Sequence, residues 1–429
     1  MTARATGLIA LIASFAIAGE LADWLLLSRL AMGLLALLVV SALWARLSLS
    51  GVSVERTIEP SRLQVGEVLS DTILLTSVSQ LGKLWIEVRD LARIPGHDGG
   101  NVVSLKRKGS LAWSTRSICV RRGSFPTGPI ELRSGDPLGV FQRTRRVRNQ
   151  GDLIVYPPHF ELPSLRLSFA DATGRREIER RALMATPSVA TVRDYVAGDP
   201  LNKISWSLTA RVGKLMVKEF DLDPTSEIWL VVDFFSSANL KADRAVLIDR
   251  ADRFTFSEAW LDCTEDVTAA LGASVTRLAL DRKRAVGYIG AKEARTFIPP
   301  DTGDRQFHRV LSELAVAQPE GNGSIADVLI EEVRRFDRNR TPVVVSSDAD
   351  PRWLEALGGL RERGIHPIAI FVDPASFNPN RDSTAIHLAI REQAYPVFVV
   401  DFNRGIETAF ALSSPMPTAF EKPEMVPNA

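Results

Sequence analysis

The chain has 429 residues, 45% of them hydrophobic, and 52 Lys+Arg set against 51 Asp+Glu leave a net charge of +1. That length exceeds what one core usually holds and implies two or three domains, and near-neutrality removes the strongly basic face that a nucleic-acid partner would need, so no nucleic acid is expected. The 2 cysteines and 5 histidines are dispersed without Cys-x-x-Cys or metal-ligand spacing, which favours buried, reduced thiols over a disulfide or a zinc site.

From Gly7 to Gly19 the chain is almost wholly apolar, Glu20 and Asp23 interrupt it, and a second apolar run spans Trp24 to Ala45. The second run is long enough to cross a bilayer, which takes about 20 residues. The first is shorter and has three readings: a short transmembrane helix, a signal-peptide core ending in Ala16-Ile17-Ala18, or a re-entrant segment. A two-helix transmembrane hairpin over residues 1–46 is favoured, because a second membrane-competent run comes at once. Arg4, Arg46 and Arg56 flank the pair and the acids lie in the connection, so the positive-inside rule predicts soluble domains on the cytoplasmic side of the inner membrane.

Over residues 50–158 the texture changes to short period-two stretches separated by turn residues, as in VSVERTIEP, DTILLTSVS and KLWIEVRD. Many short strands punctuated by Gly and Pro predict an antiparallel, sandwich-like β domain. Gly128, Asp136, Pro137 and Gly139 read as turn chemistry within it. Residues 159–192 are Arg- and Glu-rich without strand texture and read as a solvated connector.

Residues 193–221 separate that β-rich sequence from the C-terminal half of the chain. Asp199-Pro200 suits a helix start, with Leu201, Ile204 and Leu208 on one face, although Ile204, Trp206 and Leu208 also alternate as in a strand. Val212-Gly213-Lys214 then reads as a turn and Leu215–Phe220 as a strand. No G-x-x-x-x-G-K-[ST] phosphate loop occurs anywhere in the chain. From residue 222 to 403 the pattern is βα repeats. EIWLVVDFF reads as a strand, Phe254–Leu271 as a helix, and SVTRLALD and AVGYIGA as strands. Helices come next over Arg305–Val316 and Ile325–Phe336, then strand TPVVVSSDAD, helix PRWLEALGGLRERG, and strands HPIAIFVDP and YPVFVVDF. Such alternation predicts a doubly wound, mostly parallel α/β sheet. Residues 404–429 read as a flexible tail.

The pattern R-x-Y-x-x-G-D-x-x-x-x-I-x-W-x-x-T-A-R-x-G-x-L-x-V-x-E is met by Arg193, Tyr195, Gly198, Asp199, Ile204, Trp206, Thr209, Ala210, Arg211, Gly213, Leu215, Val217 and Glu219. Together with the upstream RRG…GP…DP-x-G-x-F and VYPP pieces, it resembles the membrane-anchored bacterial proteins of the domain of unknown function 58 family. The resemblance implies a C-terminal domain similar to von Willebrand factor A domains, and a gene often placed beside a MoxR-type AAA+ ATPase. It implies a non-enzymatic adaptor role with that cytoplasmic ATPase in assembly or remodelling, linked to the envelope or to stress, and the lipid bilayer as the other partner.

Von Willebrand A domains hold a divalent ion at the carboxyl ends of the strands with Asp-x-Ser-x-Ser and later Thr and Asp ligands. Here the loop reads Asp233-Phe234-Phe235-Ser236-Ser237, with Phe235 where the first Ser ligand belongs and Ser236 one position out of register. Ser347 and Asp348 are the candidate distal ligands and Thr302 the candidate Thr. No cofactor is expected apart from Mg2+ at this degenerate site, the alternative being that Asp233 caps the following segment. For the signature, Arg193, Asp199, Arg211 and Glu219 read either as a buried charge network with Trp206 as its packing anchor, or as an exposed partner surface. The competing function is a metal-dependent hydrolase or envelope enzyme using Asp233, Asp348 and Asp373, which requires at least two carboxylates to converge.

Overall fold

The computed structural model describes residues 3–148, 151–165, 189–194, 204–220, 227–242, 261–337 and 339–411. The chain divides into two compact units, Met1–Pro157 and Pro158–Ala429.

The first unit opens with helices α1 (Ala3–Leu21) and α2 (Leu25–Ser48). Three residues join them, and Gly19 sits where the helices meet, since a Cβ there would lie 2.5 Å from Ser28 Oγ. Both are long and apolar enough to span a membrane, and only 11% of each apolar window is buried, unlike the core helix of a soluble protein. Leu21, Trp24, Leu25 and Met32 are among the large apolar side chains left exposed.

Ten strands complete the unit: β1 (Val52–Glu59), β2 (Arg62–Gln64), β3 (Val68–Ser77), β4 (Lys83–Asp90), β5 (Asn101–Leu105), β6 (Ser110–Ile118), β7 (Gly123–Pro126), β8 (Ile130–Gly135), β9 (Gln142–Val147) and β10 (Asp152–Tyr156). They form antiparallel sheets β1-β3-β6 and β5-β4-β8-β9, and a small sheet β2-β10-β7. The pairing of β10 with β2 is parallel, a departure from the all-antiparallel expectation. The period-two pattern places Ile73 and Leu75 from one sheet against Ile86, Val88, Ile130 and Leu132 from the other, so two sheets share one apolar core. Asp136 is buried in its turn, where its carboxylate accepts from Phe141 N at 2.6 Å and Leu138 N at 3.0 Å.

One polar cluster lies inside this domain. Arg56 donates to Asp71 at 2.7 Å and to Asp90 at 2.7 Å, with its own side chain fully buried. His97 Nε2 contacts Asp71 at 2.9 Å and its Nδ1 contacts Ser117 Oγ at 2.9 Å. Hydrogen bonds to Asp71 and Asp90 push His97 up to about 9. Burial alone would raise Asp90, yet hydrogen bonds from His97 and Ala92 N and the Arg56 charge outweigh it and hold the carboxyl at about 2. Although Asp71, Asp90 and His97 bring ligand atoms within 4.8 Å of one another, Arg56 already sits between the two carboxylates, so the group is an ion-pair network and not a cation cradle. Arg56, which the sequence presents as a membrane-flanking charge, is therefore neutralised inside the domain.

The second unit contains β11 (Val189–Asp194), α3 (Trp206–Val212), β12 (Met216–Phe220), β13 (Glu227–Asp233), α4 (Thr264–Asp281), β14 (Val286–Ala291), β15 (Thr296–Asp301), α5 (Gly303–Val316), α6 (Ile325–Glu332), β16 (Arg340–Ser346), α7 (Arg352–Glu362), β17 (Ile368–Val372), α8 (Thr384–Glu392), β18 (Val397–Val400) and α9 (Ile406–Ala409). The six-stranded sheet runs β15-β14-β13-β16-β17-β18. All pairings are parallel except that of the edge strand β15, which is antiparallel to β14. Counted from β13, this is the doubly wound order 3-2-1-4-5-6, with its switch point between β13 and β16. Trp229 and Val231 face a core shared with Ile325, Leu329, Trp353 and Leu357. On the other face, Gly272 of α4 lies against Val232 and against Leu314 of α5. Burial on both faces explains the near-continuous apolar strands.

Three expectations need correction. SVTRLALD belongs to α4 and is not a strand: this helix is buried through Thr264, Asp266–Thr276 and Ala279, which erases the one-sided 3.6-residue stripe. Ser274 and Thr276 satisfy their hydroxyls on the carbonyls of Ala270 and Gly272, four residues back. The strand β15 and helix α8 are two elements that the sequence pattern does not announce. Finally, packed chain continues beyond Asn403, because Ile406 and Phe410 are buried and the Phe410 ring stacks on Phe398 at 5.0 Å.

Candidate functional site

The sheet places its switch point at the carboxyl ends of β13 and β16, where Asp233 and Ser346 end neighbouring strands. Asp233 is fully buried. Its Oδ2 accepts from Ser346 Oγ at 2.6 Å and its Oδ1 from Phe235 N at 3.0 Å. Burial pushes the Asp233 carboxyl up to about 7 against the pull of those two bonds, and the nearby Asp348 adds to the rise. Asp348 is itself raised by burial, against the pull of the hydrogen bond from Asp350 N.

The surrounding groups are committed within the chain. Ser346 Oγ also accepts from Asp348 N at 2.9 Å, Ser347 Oγ donates to Ala238 O at 2.7 Å, and Asp348 Oδ1 accepts from Asp350 N at 3.0 Å. Ser236 and Ser237 are exposed, and Ser237 Oγ donates to Gly323 O at 3.3 Å. Phe235 turns inward: it is buried in the core that holds Ile325 and Trp353, and Gly323 packs so closely that a Cβ there would come 2.5 Å from the ring. Asp233, Ser237 and one oxygen of Asp348 thus meet partners in their own chain, and the inward-turned Phe235 stands in place of one of the oxygen donors a divalent ion would need. Thr302 lies elsewhere. It follows Asp301, which pairs with Val286 at the amino end of β14, whereas Asp233 pairs with Ala291 at the other end. At about 3.3 Å per residue these positions are a strand length apart.

Asp373 lies at the same edge, beyond β17. Its Oδ1 accepts from Ser383 Oγ at 2.7 Å and Ala375 N at 2.9 Å, and its Oδ2 contacts His387 Nε2 at 2.9 Å. With Arg381, Asp382, Thr384 and Arg391, these groups line a pocket of about 380 Å³. The arrangement is not a nucleophile–base pair, since the Ser383 hydroxyl is given to Asp373 and not to His387. Among the described residues, the acidic, Cys and His side chains whose ligand atoms converge in threes are Asp71, Asp90 and His97, and Asp262, Cys263 and Asp266. Asp233, Asp348 and Asp373 form no such group. Sequence reasoning missed Ser346, Ser383 and His387. The Ser-Ser-Asp ending of β16 was a signal for the first, but nothing short of α8 itself connects the other two to Asp373.

In the signature, α3 begins at Trp206 and β12 at Met216, and Gly213 closes the helix in the left-handed region at φ 74°. This resolves the helix-or-strand ambiguity for Trp206 and Leu208. Ile204 is buried and bridges to Val217. Trp206 is 66% exposed and Arg211 is exposed, so Trp206 is not a packing anchor. Arg193 and Glu219 lie on the paired strands β11 and β12. Tyr195, Gly198 and Asp199, with the Asp199-Pro200 helix start, fall outside the described residues, as does most of the connector.

Fold and site together define a protein with a paired apolar helical N-terminus, a β domain, and a mostly parallel α/β unit whose switch-point carboxylate is closed off. Residues 191–375 match the family model described as "Protein of unknown function DUF58", which supports the chain's resemblance to that family. Its relatives include "Uncharacterized protein YeaD" of Bacillus subtilis, 24% identical over 75% of this chain and 77% of the relative. "Uncharacterized protein Rv1480" of Mycobacterium tuberculosis is 28% identical over 40% of this chain, which spans half of that relative's length, 50%. Among solved structures, a Listeria innocua β-glucosidase matches with TM-score 0.13 and 10% identity over 23% of this chain and 16% of its own. A Paenibacillus cycloisomaltooligosaccharide glucanotransferase matches with TM-score 0.16 and 9% identity over 75% and 45%. Scores this low bear on neither fold nor activity.

Proposed function

We propose that this protein is a membrane-anchored, non-enzymatic adaptor on the cytoplasmic face of the inner membrane, working with a MoxR-type AAA+ ATPase in assembly or remodelling of protein complexes. In this reading α1 and α2 span the bilayer and the second unit is a von Willebrand A-like platform, which the doubly wound strand order supports. The observation that carries the proposal is the exposed face of α3, where Trp206 and Arg211 stand out beside exposed Leu208, Val212 and Leu215. Trp and Arg are the side chains that most often dominate protein interfaces, and an exposed apolar group on a signature segment has no packing role to explain it. The closed Asp233 supports the same reading, because the carboxylate is fully buried and both its oxygens already accept hydrogen bonds within the chain.

The test is co-purification of the full chain in neutral detergent with the AAA+ ATPase encoded beside it, in ATP and in ADP. Retention is expected in at least one nucleotide state and should fall about thirty-fold, the effect of losing one hot spot, in a Trp206→Ala, Arg211→Ala double variant. Asp233→Asn should leave it unchanged. Absence of a complex in every nucleotide state would overturn the adaptor role, and undiminished retention by the double variant would overturn the surface assigned to it.

A further inference from the structure

Helix α2 ends at Ser48, and the β domain folds back onto that end with basic side chains drawn from distant parts of the sequence. Lys83 Nζ donates to Leu47 O at 2.6 Å, and Arg143 Nη1 donates to Arg46 O at 3.1 Å. Arg145 donates to Leu49 O at 3.4 Å and also to Val52 O. At the start of α1, Arg4 reaches Gly139 O at 3.5 Å, in the turn that leaves Leu138 54% exposed. Five cations, Arg4, Arg46, Lys83, Arg143 and Arg145, therefore gather where the apolar hairpin meets the β domain.

Arg4, Arg46, Lys83, Arg143 and Arg145 meet no carboxylate among the described residues. The nearby Glu131 is spent on Arg133 at 2.9 Å and Arg146 at 2.8 Å, so those two arginines are set apart from the cluster. Glu20 and Asp23 sit at the opposite end of the hairpin. Carbonyls at the end of α2 hold Lys83 and Arg143, and those of Leu49 and Val52 just beyond it hold Arg145; a helix C-terminus favours cations electrostatically but adds no carboxylate to pair with them. Arg145 Nε is, in addition, a buried donor with no acceptor. Arg46, Arg143 and Arg4 are exposed.

We propose that the exposed members of this basic cluster, Arg4, Arg46 and Arg143, bind the phosphate groups of anionic lipids in the bilayer that holds α1 and α2, seating the β domain on the membrane surface, with the buried Lys83 adding only to the local field. The inference rests on the reading of those helices as membrane-spanning. Its chemistry is that of a basic cluster directly beside a membrane segment, where each Lys or Arg contributes to attraction for an anionic leaflet. Guanidinium forks suit phosphate oxygens, and the exposed Leu138 is placed to enter the interface with them.

The experiment uses the full chain in neutral detergent, titrated with dioleoyl phosphatidylglycerol or dioleoyl phosphatidylcholine, with bound lipid counted by native mass spectrometry. Phosphatidylglycerol should bind in preference, and the preference should weaken as salt is raised from about 50 to 500 mM. Arg46→Gln with Arg143→Gln should weaken phosphatidylglycerol binding about twenty-five-fold, since each of the two charges is worth about five-fold at a membrane surface. Arg116→Gln is the matched control. It removes a charge from the same domain, but its pairing through Ser70 to Glu59 puts it about 23 Å along the strands from Val52, so binding should not change. Equal binding of the two lipids, salt-independent binding, or a double variant that binds like the native chain would overturn the proposal. Alkaline carbonate treatment of membranes separates the two ideas. Release of the chain would overturn the spanning reading itself, whereas retention without a headgroup preference would overturn only the lipid site.

Discussion

Asp233→Asn should stabilise the α/β unit at pH 8 by up to about 4 kcal/mol and leave it almost unchanged at pH 4. The carboxyl is fully buried and pushed up to about 7 from an ordinary 3.8. Between those values the folded unit holds a proton that the unfolded chain has released. Stability is therefore complete below about pH 4, declines as pH rises towards 7, and stays low above it, where folding must bury an ionised group. Asn has no charge to bury. Its Oδ1 can still accept from Phe235 N, and its amide can donate to Ser346 Oγ in place of the bond received now. Thermal unfolding of the full chain followed through this unit's transition would measure the difference, at about 2–4 °C per kcal/mol for a unit of this size. Identical pH profiles for native and variant protein would show that Asp233 is not a neutral acid held in the sheet. Added Mg2+ should shift neither transition, since the carboxylate oxygens already have partners.

In the β domain the larger effect runs the other way. Arg56→Met should cost about 3–5 kcal/mol, because it leaves Asp71 and Asp90 buried without their cation. The same cluster sets the shape of the pH profile. His97 is raised from 6.5 to about 9, so its contribution is full below pH 6.5 and is lost as pH rises through about 9. Asp90 is lowered from 3.8 to about 2, so its contribution is full above 3.8 and is lost as pH falls through about 2. Stability should be flat between these limits and fall on either side. His97→Gln should abolish the alkaline fall and keep the acid one, which denaturant titration at about pH 2.5, 5, 7 and 9.5 would reveal. An alkaline fall that survives in His97→Gln would place its origin elsewhere.

How far these sites were legible in the sequence depends on the distance over which their partners are set. Asp233 was visible as the polar end of an apolar strand, and the misfit of Phe235 was visible beside it. That Phe235 fills the core under Gly323 and that Ser346 takes the second oxygen are consequences of strand pairing and loop contacts across 113 residues. The Arg56 cluster left no mark, because Asp71, Asp90 and His97 come from three segments whose own periodicity is that of ordinary strands and turns. Arg56 looked like a membrane-flanking charge for the same reason, while Lys83 and Arg143, which do reach the end of α2, lie far from it in the sequence.

The sequence by itself determined the two apolar helices, the change from period-two to βα texture near residue 222, the turn at Gly213 and the family signature, since each is written in consecutive residues. Only the tertiary structure decided that SVTRLALD is helical, that Trp206 is exposed, that Thr302 stands at the wrong edge of the sheet and that five cations meet at the foot of the hairpin. A helix buried on every side loses its periodic stripe, and a charge declares its role only when the chain has brought its neighbour, or left it without one.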